Sequence, residues 1–60
     1  MNEIERILME CRYLLSLNKN YLELAKIFNV SVDIVYDDLN NKLVNIDSIL
    51  YERTQKVLKE

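Results

Sequence analysis

The residues of this 60-residue chain that could do chemistry are few, and their types limit what it can be. There is no His and a single Cys, Cys11, so neither a zinc ligand set nor the usual general base can be assembled. One thiol cannot close an internal disulfide, which points to a reducing cytoplasm, and Cys11 reads as a small buried hydrophobe. A chain this short has little room for a cleft. No enzyme activity, metal, cofactor or small-molecule substrate is therefore expected. What remains is recognition chemistry. Asn20, Ser31, Tyr36, Asn40 and Asn41 carry hydrogen-bonding groups, Asp37 has an acceptor suited to a cytosine amino group, and Lys19, Lys26 and Lys42 offer cations to phosphates.

These residues gather on one stretch, residues 20–41, NYLELAKIFNVSVDIVYDDLNN. Its spacing predicts two short helices and a tight turn, a helix-turn-helix. The first runs from about Tyr21 to Phe28 and turns Leu24, Ala25 and Phe28 inward; Ala25 leaves room for a steep, close crossing. Asn29 stands where the turn needs a left-handed backbone, which Asn tolerates better than any residue but Gly. Val30 then enters the core, and Ser31 caps the next helix. That helix buries Val35 and Leu39 and faces Val32, Asp33, Tyr36, Asp37 and Asn40 outward. Asp33 suits the positive end of its dipole. Asp38 precedes Lys42 by four residues, the favourable order for an ion pair, whereas Asp37 has no such partner.

Around this motif the chain reads as helix nearly throughout, because it contains no Gly and no Pro to break one. Ile4, Ile7, Leu8, Cys11, Leu14 and Leu15 form a helical stripe over residues 2–17, opened by Asn2 with Glu5 and closed by a left-handed Asn18. Asn20 with Glu23 repeats the cap. Residues 42–46 read as a short connection tucking Leu43 and Ile46 under the domain. Asp47 caps a last helix, about Ser48 to Leu58, with Ile49, Leu50, Arg53, Val57 and Leu58 at helical spacing. The expectation is an all-α, small four-helix domain (near 2–17, 20–28, 31–41 and 47–58) spanning residues 1–60. Its core holds Ile7, Cys11, Leu14, Leu24, Phe28, Val35, Leu39, Leu50 and Val57.

Charge narrows the partners. The formal net charge is −2, which argues against a strong non-specific polyanion binder. Residues 1–17 are punctuated by Glu3, Glu5, Arg6, Glu10 and Arg12, so no secretory signal is expected, and no apolar run suits a membrane.

The segments AKIFNVS, IVYDDLNNKL and NIDSILYERTQKVL, within residues 20–58, resemble the stage III sporulation protein D family of bacterial transcription regulators. The most distinguishing part is the fourth helix, opened by Asn45, Ile46 and Asp47. The resemblance implies a small DNA-binding protein that reads a short site with the second helix of its motif, with a basic C-terminal extension as a second contact. Carried over by position, the implied contacts are Ser31, Val32, Asp33, Tyr36, Asp37 and Asn40. Where such regulators carry basic or small polar residues after the turn, this sequence has Val32, Asp33, Ile34, Tyr36 and Asp37.

Two functional expectations follow. The first is a regulator that binds double-stranded DNA through residues 31–41. The alternative is a protein-interaction or dimerisation module on the same fold, using Val32, Ile34 and Tyr36 to meet a second copy or a partner protein.

Overall fold

The computed structural model describes residues 1–59. Four helices and no strand occur among them. Helix α1 spans Glu3–Leu17 and α2 spans Tyr21–Phe28. Helix α3 occupies residues 32–46, made of an α segment Val32–Asp37, a π turn Asp38–Lys42 and a final α turn Leu43–Ile46. Helix α4 spans Ser48–Leu58. No described helix is long and apolar enough to cross a membrane.

Each helix begins on a side-chain cap. Asn2 accepts from the Glu5 N–H, Asn20 and Glu23 form a reciprocal box, Ser31 accepts from the Ile34 N–H, and Asp47 accepts from Ile49 and Leu50. These bonds satisfy donors that no helical carbonyl reaches. Asn18 and Asn29 carry φ of 56° and 55° and end α1 and α2 in the left-handed region. Two Asn thus do what Gly does in most helical proteins.

The core is Ile7, Cys11 and Leu14 from α1, Leu24 and Ala25 from α2, and Val35, Leu39 and Leu43 from α3. Burying each of the large aliphatic side chains contributes roughly 1.5–3 kcal/mol. Phe28, Leu50 and Val30 pack against this cluster while remaining partly exposed.

Three expectations need correction. Residues 42–46 are not a connection; the helix expected to stop at 41 continues to Ile46, and Asp47 alone (φ −155°, ψ 100°) turns the chain into α4. The π turn explains this. In an α-helix each four-residue step advances the face by about 40°, so Leu43 would drift away from Val35 and Leu39. A wider turn, marked by the Leu43 N–H donating to the Asp38 carbonyl, brings Leu43 back under the core. Next, Val57, expected in the core, is 39% exposed, and Ile49, which shares its helical spacing, is 65% exposed. The inward face of α4 is instead Leu50, Tyr51, Thr54 and Leu58, with Thr54 fully buried. Ile4, at the start of the expected α1 stripe, is exposed as well.

Candidate nucleic-acid interface

The turn between α2 and α3 is three residues long, and its geometry follows from Asn29. With Asn29 left-handed, the Val30 N–H reaches the Ala25 carbonyl at 3.0 Å and the Asn29 N–H reaches Lys26 at 3.4 Å. This double bond pattern reverses the chain within one residue of the helix end. Ala25 is buried in the core cluster. The Tyr13 and Phe28 rings, 5.4 Å apart, brace the C-terminal end of α2 against α1. Ser31 then starts α3 at a fixed angle.

The expected contact residues fall into two groups. Exposed and making no side-chain hydrogen bond among the described residues are Asp33, Ile34 and Tyr36 on α3 and Lys26 on α2. Lys26 makes no ion pair among the described residues. The others already have structural work. Asn20 and Ser31 are caps. Lys19 lies 3.6 Å from Glu23. Val32 is half-buried against the core. Lys42 stands 3.4 Å from Glu3 and 3.9 Å from Asp37, and Asn41 donates to Asp37 at 2.8 Å.

Asn40 is the most heavily engaged. Its amide N–H group donates to the Tyr21 hydroxyl at 2.9 Å and to the Tyr36 carbonyl at 2.8 Å, while its oxygen accepts from Gln55 at 2.9 Å. It ties α2, α3 and α4 together, and the Tyr21 and Tyr36 rings lie 5.5 Å apart beside it. An amide with donors and acceptor so occupied has little left to offer a base edge.

The expected pairing of Asp38 with Lys42 is also corrected. Asp38 points inward, fully buried, and Arg6 of α1 grips it with two hydrogen bonds of 3.1 Å, Nε to Oδ2 and Nη2 to Oδ1. Lys42 pairs with Asp37 instead, the carboxylate for which the sequence offered no partner. Beside Asp38 lies Glu10, also fully buried, with Oε2 3.6 Å from Arg6 Nε and no hydrogen-bond acceptor or donor satisfying either oxygen among the described residues. Burial, then the neighbouring Asp38, pushes the Glu10 carboxyl up to about 8 against the pull of Arg6. The same Asp38 contact raises the Arg6 guanidinium.

Arg6, Glu10, Tyr21 and Gln55 were missed as a polar framework. Glu10 had a visible signal. It sits three residues after Ile7 and four before Leu14, inside the buried stripe, where a charged residue requires a partner. Cys11 is the small buried group expected. Its sulfur lies 3.1 Å from Thr54 Oγ1, and burial raises its thiol, with the Thr54 contact opposing.

No protein-family model, no curated protein and no solved structure matches the chain.

Proposed function

We propose that this chain is a small cytoplasmic helix-turn-helix DNA-binding regulator that presents α3 to the major groove of duplex DNA. The observation that supports this most is the α2–Asn29–α3 unit: a left-handed Asn, a buried Ala25 and a Ser31 cap set two helices in sequence across a three-residue turn, with Asp33, Ile34, Tyr36 and Asn41 exposed on the outer side of α3. Such a unit places its second helix in the groove and its flanking cations on the backbone. The resemblance of residues 20–58 to the stage III sporulation protein D family supports the same reading.

On this reading Tyr36, Asn41 and Asp33 lie nearest the bases, and Lys26 and Lys19 nearest phosphates. Few cations face the groove, so few counterions are released and affinity is modest. Asp37→Lys removes one repulsion and adds one attraction. On a mixed-sequence duplex, fluorescence anisotropy at two salt concentrations should show tighter binding and a log–log salt slope steeper by about 0.9. No binding at low salt by wild type or Asp37→Lys overturns the reading.

A specific observation favours a second reading, a protein-interaction module. Ile34 is 41% and Tyr36 52% exposed on the same helix as Asp33 and Asp37, a mixture better suited to a protein surface than to phosphates. Sedimentation separates the two: Tyr36→Ala weakens self-association or partner capture only if this face meets protein.

A further inference from the structure

Arg6, Glu10 and Asp38 place two carboxyl groups and one guanidinium in a space where both acids are shut off from water. If both acids were ionised, the cluster would hold one uncompensated negative charge. Water cannot screen it, and no other cation joins the cluster among the described residues: Lys42, the cation carried by α3, is held by Glu3 and Asp37 on the surface. Arg6 spends its two-pronged grip on Asp38, leaving Glu10 at ion-pair distance without a hydrogen bond. A protonated Glu10 solves both problems, because it becomes a donor that Asp38 can accept.

We propose that this cluster is a proton-held latch between α1 and α3: one proton bridges Glu10 and Asp38, and its loss in alkaline solution loosens the seam. The seam is local. Asp38 opens the π turn of α3, and Glu10 lies between Ile7 and Cys11 on the buried face of α1. Every charged group facing Glu10 can be named. On α1 it is Arg6, with Glu3 beyond it; on α3 it is Asp38; α2 and α4 contribute no ion pair to the cluster among the described residues. The latch stands on this geometry and does not depend on what the outer side of α3 binds.

The sign is fixed by the direction of the shift. A carboxyl whose folded value lies near 8, well above the ordinary range, contributes stability that is full below about pH 4.5 and lost as pH rises through 8. Glu10→Gln is the neutral isostere and cannot lose that proton. Thermal unfolding of wild type and Glu10→Gln should therefore diverge with pH, the gap widening by more than about 5 °C from pH 5.5 to pH 9 in favour of Gln. Carboxyl carbon NMR on the wild-type chain tests the same proposal without a variant. Glu10 should titrate near 8, and amide shifts of residues 6–11 and 38–43 should move with that midpoint while those of Leu22 and Glu23 stay. A Glu10 midpoint below 6, or parallel pH profiles for the two proteins, overturns the latch.

Discussion

Asp37 and Asp38 are neighbours in the chain and carry the same side chain, yet they lie in two different electrostatic media. Asp38 faces α1, fully buried and gripped through both oxygens by Arg6. Asp37 faces outward, half-exposed, within reach of Lys42 and Asn41. The inner side of α3 is committed to holding the fold; the outer side has contacts that water can replace. That division is what a recognition helix requires, since a face whose contacts water can replace is free to meet a partner. Three measurements test how sharp the division is.

The largest effect belongs to Arg6. Arg6→Ala leaves Asp38 and Glu10 buried together with no cation, and breaking a buried pair in this way costs about 3–5 kcal/mol. Small domains have little stability in reserve, so the variant should be largely unfolded at room temperature or show a much lower urea midpoint. A loss below about 1 kcal/mol would mean the inner seam behaves as a surface pair does, and the contrast with Asp37 would collapse.

Asn40 comes next, because it straddles the boundary. Asn40→Ala removes the bonds to Tyr21, Tyr36 and Gln55 together. Leaving partly buried groups unpaired should cost about 1–3 kcal/mol in denaturant unfolding. If Asn40 were instead a free reader of bases, the stability would barely move and only DNA binding would suffer.

Local signals carried most of the fold. Four caps and two left-handed Asn residues are read from single residues next to a helical pattern, and these were legible at Asn2, Asn20, Ser31, Asp47, Asn18 and Asn29. The path of α3 was not, because its length depends on a π turn that keeps Leu43 beneath the core, and a straight 3.6-residue period misplaces that leucine. The polar framework was hidden for a related reason. Spacing along one helix pairs Asp38 with Lys42, whereas the partner the fold supplies is Arg6, 32 residues away. Of the expected site, the outward placement of Asp33, Tyr36 and Asp37 could be read from the period alone, although the same period turned Val32 outward and it packs half-buried against the core. That Asn40 binds α2 and α4 could not, since it requires knowing where Tyr21 and Gln55 end up.

The smallest expected effect is at Asp37, and it bears most directly on the contrast. Asp37→Asn keeps an acceptor for the Asn41 amide and removes only the charge that faces Lys42 across 3.9 Å. Both side chains are well exposed, at 50% and 40% for Asp37 and Lys42. Pairs of this kind contribute at most about 1 kcal/mol, and salt screens them further. Lys42 also keeps Glu3 at 3.4 Å, so it does not lose its only carboxylate. Urea unfolding of Asp37→Asn should therefore match wild type to within about 0.5 kcal/mol, with the difference shrinking as salt is added. A cost above about 2 kcal/mol would place Asp37 with Asp38 as a structural residue. The outer face of α3 would then be part of the scaffold, and the case for it as a contact surface would fall with it.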